Sequence, residues 1–309
     1  MPVLRTLIVW ALCGWLSGCG DSPQRGATPQ PKLPTELTAA PDFSGDNAYV
    51  HCAALCALGP RPSGSEAYRQ QVEYLEAHLR QAGWVVWRQE FEPLPGRKMT
   101  NLHAQFGSAD SARPLILTCH IDTKGQGAEA ILGADDGASG AAVILETARI
   151  LAQQPELAGQ VELVFYDGEE SFGAHITDSD GLFGSRYDAQ HRDVLPRYQI
   201  NLDMVGGEGK VIVVPIMETS PVMYEHYLSA IRALKFSEDY WSIYPGSFLD
   251  DHMPFAELGV DTLNLIADFS GSSWWHTKRD DMRRIAPASL RESGLMALWL
   301  IRRILGQSS

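Results

Sequence analysis

Cysteine is scarce in this chain, with five residues in 309, and Cys13 and Cys19 fall in the first nineteen positions. Length and cysteine count together exclude a small disulfide-stapled fold. Positive charge is also in short supply: 25 Lys and Arg stand against 38 Asp and Glu, a formal net charge of −13. Such a surface repels phosphate backbones, so nucleic acid is excluded as a partner. No internal repeat is present, and no apolar run approaches the ~20 residues of a membrane-spanning helix. What remains, 45% hydrophobic and 20% charged residues, is the composition of a globular chain with a proper core. Its acidic balance favours cationic groups, such as the free N-terminus of a peptide.

The first residues read as an export signal. Arg5 supplies a positive start, Thr6 to Leu16 a short apolar run, and the run ends in Leu16-Ser17-Gly18-Cys19. That ending resembles the lipobox of bacterial lipoproteins, in which the cysteine is acylated. The expectation is a lipoprotein-type signal over residues 1–19, lipidation at Cys19, and a protein exported and lipid-anchored to the bacterial cell envelope, in the periplasm or at the cell surface. A plain secretory signal would share most of this pattern. One acyl chain holds a membrane only marginally, so a stable anchor takes more than one. Residues 20–41, rich in Pro, Gln, Thr and Ala, read as a flexible linker. One folded domain is expected over residues 42–309.

Within that domain Ser63-Gly64-Ser65-Glu66 reads as a capping box, followed by Tyr68, Val72, Leu75 and Leu79 at helical spacing up to Gly83. Strands are expected at Trp84–Phe91, Asn101–Phe106, Pro114–Cys119, Val161–Tyr166, Tyr198–Leu202, Lys210–Val214 and Thr262–Ile266. Helices are expected at Gly140–Leu151, Pro221–Leu234 and Leu290–Leu305. Continuous apolar runs such as Leu115 to Cys119 mark strands buried on both faces. Strands alternating with helices imply an α/β fold, a mixed and largely parallel sheet between helical layers. Cys52 and Cys56 share a face if their segment is helical, where a bridge would be strained; with Cys119 they read as small buried residues.

Polar clusters sit directly after the buried strands, where such folds bind ligands. His120-Ile121-Asp122 offers an imidazole with a carboxylate near enough to orient its ring. Gly133-Ala134-Asp135-Asp136-Gly137 places two acids in a Gly-rich turn before an apolar helix, and Asp167-Gly168-Glu169-Glu170 follows a buried strand. Asp203 ends another strand, Asp250-Asp251-His252 forms a further cluster, and Trp274-Trp275-His276 lies late in the chain. Consecutive buried acids are costly unless paired, and a metal would pair them. Together His120, Asp136, Glu170, Asp203 and His276 make a zinc-type set of nitrogen and oxygen ligands. A Glu left free beside a ligand can act as general acid and base. The other histidines, among them His51, His103, His175 and His226, lack such company and read as structural or surface residues.

This order of motifs resembles the zinc-exopeptidase family, and within it the animal-type glutaminyl cyclases. The likeness rests on CHIDTK (Cys119 to Lys124), FYDGEESF (Phe165 to Phe172), DSDGLFGSR (Asp178 to Arg186), DDHMPF (Asp250 to Phe255) and WHT (Trp275 to Thr277). The resemblance implies a three-layer α/β/α sandwich in which Asp136, Glu170 and His276 hold one catalytic zinc ion and Glu169 shuttles protons. Asp203 and Asp250 would form the adjoining polar network, with Trp275 and Phe269 walling the substrate pocket. The implied reaction is cyclisation of an N-terminal Gln of a peptide or protein to pyroglutamate with loss of ammonia. The chain departs from the pattern at Ala141, where the animal enzymes carry a cysteine bridged to the one at Cys119, at Ile176 in place of Trp, and at Leu249 in place of a polar amide. A co-catalytic aminopeptidase is the competing expectation: His120 and Asp203 would bind a second zinc with Asp136 bridging both. An inactive surface binding module would show a broken ligand set, and this one is complete.

Overall fold

The computed structural model describes residues 36–37, 42–108, 112–125, 127–177 and 179–306. The expected signal segment with Cys19, and the linker except for residues 36–37, lie outside the described residues.

The strands are β1 Trp84–Leu94, β2 Arg97–Phe106, β3 Leu115–His120, β4 Val161–Tyr166, β5 Tyr198–Asp203, β6 Ile212–Pro215, β7 Trp241–Tyr244 and β8 Asp261–Ala267. They form one sheet in the order β1-β2-β4-β3-β5-β8-β6-β7. The four central strands β4, β3, β5 and β8 run parallel, while the β1–β2 hairpin and β6 join antiparallel at the sides. Every residue of β3, β4 and β5 is buried, as continuous apolar runs require. Side chains still alternate between faces: Leu115, Leu117 and Cys119 enter one core and Ile116 the other.

Helices cover both faces unequally. On one pack α1 Gly45–Ala57, α2 Glu66–Gln81, α3 Ala138–Leu151, α6 Pro221–Leu234 and α8 Pro287–Leu305, which share the larger core; a single turn, α4 Pro155–Ala158, leads into β4. On the other lie α5 Phe183–His191 and α7 Met253–Ala256, contributing Ala189 and Phe255 to a smaller cluster. Helix α3 rests directly on the sheet at Gly140, where a Cβ would stand 2.8 Å from that of Cys119 and 2.7 Å from the Leu202 carbonyl. Cys119 is free and buried there. Cys52 and Cys56, also free, do lie on a helix, α1. No helix among the described residues is long and apolar enough to cross a membrane.

The observed layers are those of a three-layer α/β/α sandwich. Two local expectations change. The cap of α2 is Ser65, whose hydroxyl accepts from the Tyr68 amide at 3.1 Å, because Ser63 is drawn away to donate to Asp167 at 2.6 Å. Strand β7 and helices α5 and α7 also join the fold without having been expected. The chain order sends β3 through α3 to β4 on one side and then back to β5 on the other. That reversal opens a crevice at the C-terminal ends of β3 and β5, the switch point at which such sheets bind ligands.

Two histidines are buried neutral. Burial, with His78 and Arg149 nearby, lowers His51 to about 3, and burial lowers His252 to about 4. The unfolded chain, with histidines near ~6.5, binds protons that the native state refuses, so stability falls as pH drops through 6.5 toward 4. Urea unfolding at pH 5 and pH 7 is expected to differ by about 2 kcal/mol for each of these residues. A His51→Gln variant that remains folded should lose its share of that slope.

Candidate metal and active site

The sequence motifs converge at the crevice. His120 ends β3, Asp203 ends β5, the segment Asp167 to Glu170 follows β4, and Asp135 and Asp136 precede α3. The loop after β8 carries Trp275 and His276. His120 Nε2 lies 3.2 Å from Asp136 Oδ1 and 3.2 Å from Asp203 Oδ1. His276 Nε2 lies 3.3 Å from Glu170 Oε2 and 3.6 Å from Asp136 Oδ2. Two overlapping donor sets result, Asp136–Glu170–His276 and His120–Asp136–Asp203, each with its ligand atoms within 4.8 Å of one another. Asp136 Oδ2 and Glu170 Oε1 are buried with no hydrogen-bond partner. Unsatisfied carboxylate oxygens beside imidazoles are what a zinc-type cation needs, so the residues fit one.

A scaffold of further carboxylates aims these donors. The oxygens of Asp122 accept from the backbone amides of Glu169 and Glu170 at 3.1 and 3.2 Å. Asp280 does the same for Asp135 and Asp136 at 2.8 and 3.1 Å. Lys124 Nζ donates to Ser171 and sits 3.4 Å from Glu170 Oε2. Arg61 is fully buried and donates to the carbonyls of Leu132 and Gly133, holding the start of the acidic turn. Gly137 takes φ +105, and a Cβ there would meet the Asp122 carbonyl at 2.8 Å. His276 and Met204 adopt left-handed backbone at φ 54 and 51. Both border the cleft, and such outliers persist only where surrounding structure holds them.

The charges are strongly perturbed. Burial raises the Glu169 carboxyl well above its ordinary range, and Glu170, Asp250 and Asp251 add to that against the pull of His120. Burial also raises Asp203. His120 is pulled down by burial, but Asp122, Asp136 and Asp203 outweigh it and hold the imidazole well above its usual value. Asp280 is pushed up to about 8 by burial and by Asp135 and Asp136.

Above the acids opens a cleft of about 250 Å³, lined by Glu169, Asp203, Phe248, Phe269, Trp275 and His276 among others. Trp275 stacks on His276 with centroids 3.9 Å apart, and Phe269 packs on Trp275 at 4.4 Å.

A family model for peptidase family M28 matches residues 101–301. The chain belongs to peptidase family M28. Among curated relatives of this M28 member is a glutaminyl-peptide cyclotransferase-like protein of Bos taurus, 28% identical, aligned over 78% of this chain and 71% of that protein. Among solved structures, a glutaminyl cyclase of Porphyromonas gingivalis superposes with TM-score 0.77 and 29% identity, over 85% of this chain and 99% of that one. A Zn-dependent exopeptidase of Parabacteroides distasonis gives TM-score 0.74 and 27% identity over 85% and 99%.

Asp136, Glu169, Glu170, Asp203, Phe269, Trp275 and His276 all line the cleft, and His120 lies buried beside Asp136 and Asp203. Asp250 acts on Glu169 and Asp203 through its charge rather than by lining the cleft. It is buried and absent from the cleft lining, its carboxylate accepting from Asn201 at 3.1 Å, Asn264 at 2.7 Å and the Asp251 amide at 2.6 Å. Asp122 was expected to orient His120. It lies 3.6 Å from the ring nitrogen, too far for a hydrogen bond, because its oxygens serve the two Glu amides. His175, expected to be structural or surface, lines the cleft. The scaffolding by Asp280 and Arg61 left no local sequence signal, since both act on backbone far away in the chain.

Asp280→Ala strands two buried amides, an expected loss of about 2–4 kcal/mol in urea unfolding. Divalent-metal uptake measured by calorimetry should weaken with it; unchanged uptake would show that the acidic turn holds its shape without Asp280.

Proposed function

We propose that this chain is a zinc-dependent glutaminyl-peptide cyclotransferase acting on peptides and proteins with N-terminal Gln, its catalytic domain spanning residues 42–309. The observation that carries this reading is a buried carboxyl, Glu169, next to the Asp136–Glu170–His276 donor set and beneath the Phe269–Trp275 wall. The cyclotransferase names of its relatives support the same reading.

Asp136, Glu170 and His276 would hold a zinc ion, which when bound supplies Lewis-acid polarisation of the substrate's side-chain amide carbonyl. The chain's own groups do the rest. The acidic cleft draws in the substrate's terminal amine, and Phe269 and Trp275 pack against its methylenes. Glu169 accepts a proton from the α-amine as that nitrogen bonds to the amide carbon. The same carboxyl then returns the proton to the departing ammonia. No enzyme nucleophile is needed. Holding amine and amide together removes much of the barrier, on the order of 7–11 kcal/mol in favourable intramolecular reactions.

The His120–Asp136–Asp203 set favours a second reading, a co-catalytic aminopeptidase with two zinc ions in which Glu169 takes its proton from water. Zinc-loaded protein given a Gln-initiated peptide and a Leu-aminoacyl reporter separates the two. Ammonia release without chain shortening is expected; free leucine and no ammonia would replace the cyclase by the peptidase. Glu169→Gln should lower kcat by about 10²–10⁴ with metal content unchanged.

We also propose export and acylation at Cys19, supported by the lipobox-like Leu16-Ser17-Gly18-Cys19. Expressed in a bacterium fed labelled palmitate, the protein should carry label in the membrane fraction, and Cys19→Ala should carry none.

A further inference from the structure

A second group of donor atoms lies apart from the cleft, against the loop that carries Asp135 and Asp136. Cys52 and Cys56 stand one turn apart on the same side of α1, both free and buried. Cys52 Sγ lies 3.8 Å from Met282 Sδ and donates to the Ala134 carbonyl at 3.3 Å. Asp281, the neighbour of Met282, acts electrostatically on Cys56. Two sulfurs from distant segments therefore meet, and Cys56 brings a third from one turn further along α1.

An independent observation concerns charge. The fully buried Arg61 donates to Gln71 and to the carbonyls of Leu55, Gly59, Leu132 and Gly133, and none of these partners is a carboxylate. A buried cation without a counter-charge is costly. Its charge acts on both thiols, which can supply negative charge. Cys52 beside it, together with the Arg61 charge, holds the Cys56 thiol below its ordinary range despite burial.

We propose that Cys52, Cys56 and Met282 form a binding site for a soft monovalent cation of the cuprous or silver class. Thiolate and thioether sulfur select such ions, whereas the oxygen and nitrogen donors of the cleft suit harder ones. Metal–sulfur bonds of ~2.3 Å place the sulfurs of a trigonal site about 4 Å apart, close to the Cys52–Met282 spacing. On binding, both thiols release their protons to solvent. Two thiolates and one monovalent ion then leave a single negative charge facing Arg61. Met282 is half-buried and gives the ion its entry. The site is tied to the acidic turn through Ala134 and through Asp280, two residues before Met282.

The test uses the full chain with Cys13 and Cys19 changed to Ser, reduced and anaerobic, titrated against the Cu(I)–bicinchoninate complex. This protein should withdraw one equivalent of Cu(I). Cys56→Ser should lose that equivalent, and Met282→Leu, on the half-buried rim, should compete less well. Equal uptake by a folded Cys56→Ser protein overturns the proposal. Copper K-edge absorption of the protein with all three sulfurs intact, at one equivalent, reads the ligand shell without relying on any variant's stability at this site. Three sulfurs support the assignment, and a shell with fewer overturns it.

Discussion

The structure depends on burying several carboxylates at one edge of a parallel sheet. Asp136, Glu169, Glu170, Asp203, Asp250 and Asp251 are all nearly inaccessible to solvent, and the basic side chains among them are His120, His276 and Lys124. Bringing like charges together in a low-dielectric interior opposes folding. Two means of relief are visible. Some carboxyls take up protons, which is the sense in which burial shifts Glu169 and Asp203. Asp136 and Glu170 each also keep one buried oxygen without a hydrogen-bond partner while standing beside His276, and a cation there would turn repulsion into attraction.

The rest of the fold holds that arrangement in place. Five helices on one face share a large core with the sheet, and α3 sits against β3 and β5 closely enough that only glycine fits at residue 140. The C-terminal ends of the central strands are thereby fixed relative to the start of α3. Asp122 and Asp280 carry this rigidity to the site by binding pairs of backbone amides rather than the substrate side of the cleft. Their effect is on aim. Catalysis by general bases and bound cations depends on atoms held within a fraction of an ångström, and backbone amides are the most direct points to fix.

Much of this was legible in the sequence for one physical reason. Central parallel strands are buried on both faces, so β3, β4 and β5 appear as unbroken apolar runs, and acids placed straight after them stand out. Where burial is partial the signal fades. Strand β7 has four residues, only one of them fully buried. Helix α5 buries Ser185 and Asp188 beside Phe183 and Ala189, so it has no clear apolar stripe. One oxygen of Asp188 instead accepts from Tyr166 and Arg192, partners 22 and 4 residues away. Asp280 and Arg61 were illegible because a carboxylate or guanidinium that serves distant backbone looks like any other charge in the chain. The donor set that meets at the crevice could be read from motif order; the atoms that position it could not.

Cyclase and aminopeptidase readings draw on the same ligands and the same proton carrier, so the donor set cannot decide between them. The cleft wall can. A peptidase must admit water alongside the scissile amide, whereas a cyclase must exclude it so that the substrate's own amine is the sole nucleophile. The stack from Phe269 through Trp275 to His276 places apolar surface immediately over the donor set, and Phe248 and Leu249 extend it. Ring area so close to the acids would suit the methylenes of a folded glutamine. Trp275 also packs directly on His276, a member of the donor set, so the wall and the donor geometry are not independent. His276 is held in left-handed backbone at that contact, a strained conformation that the aromatic stack helps to keep. Selectivity between the two reactions would therefore lie in the aromatic packing that fixes His276 rather than in the identity of its fellow ligands.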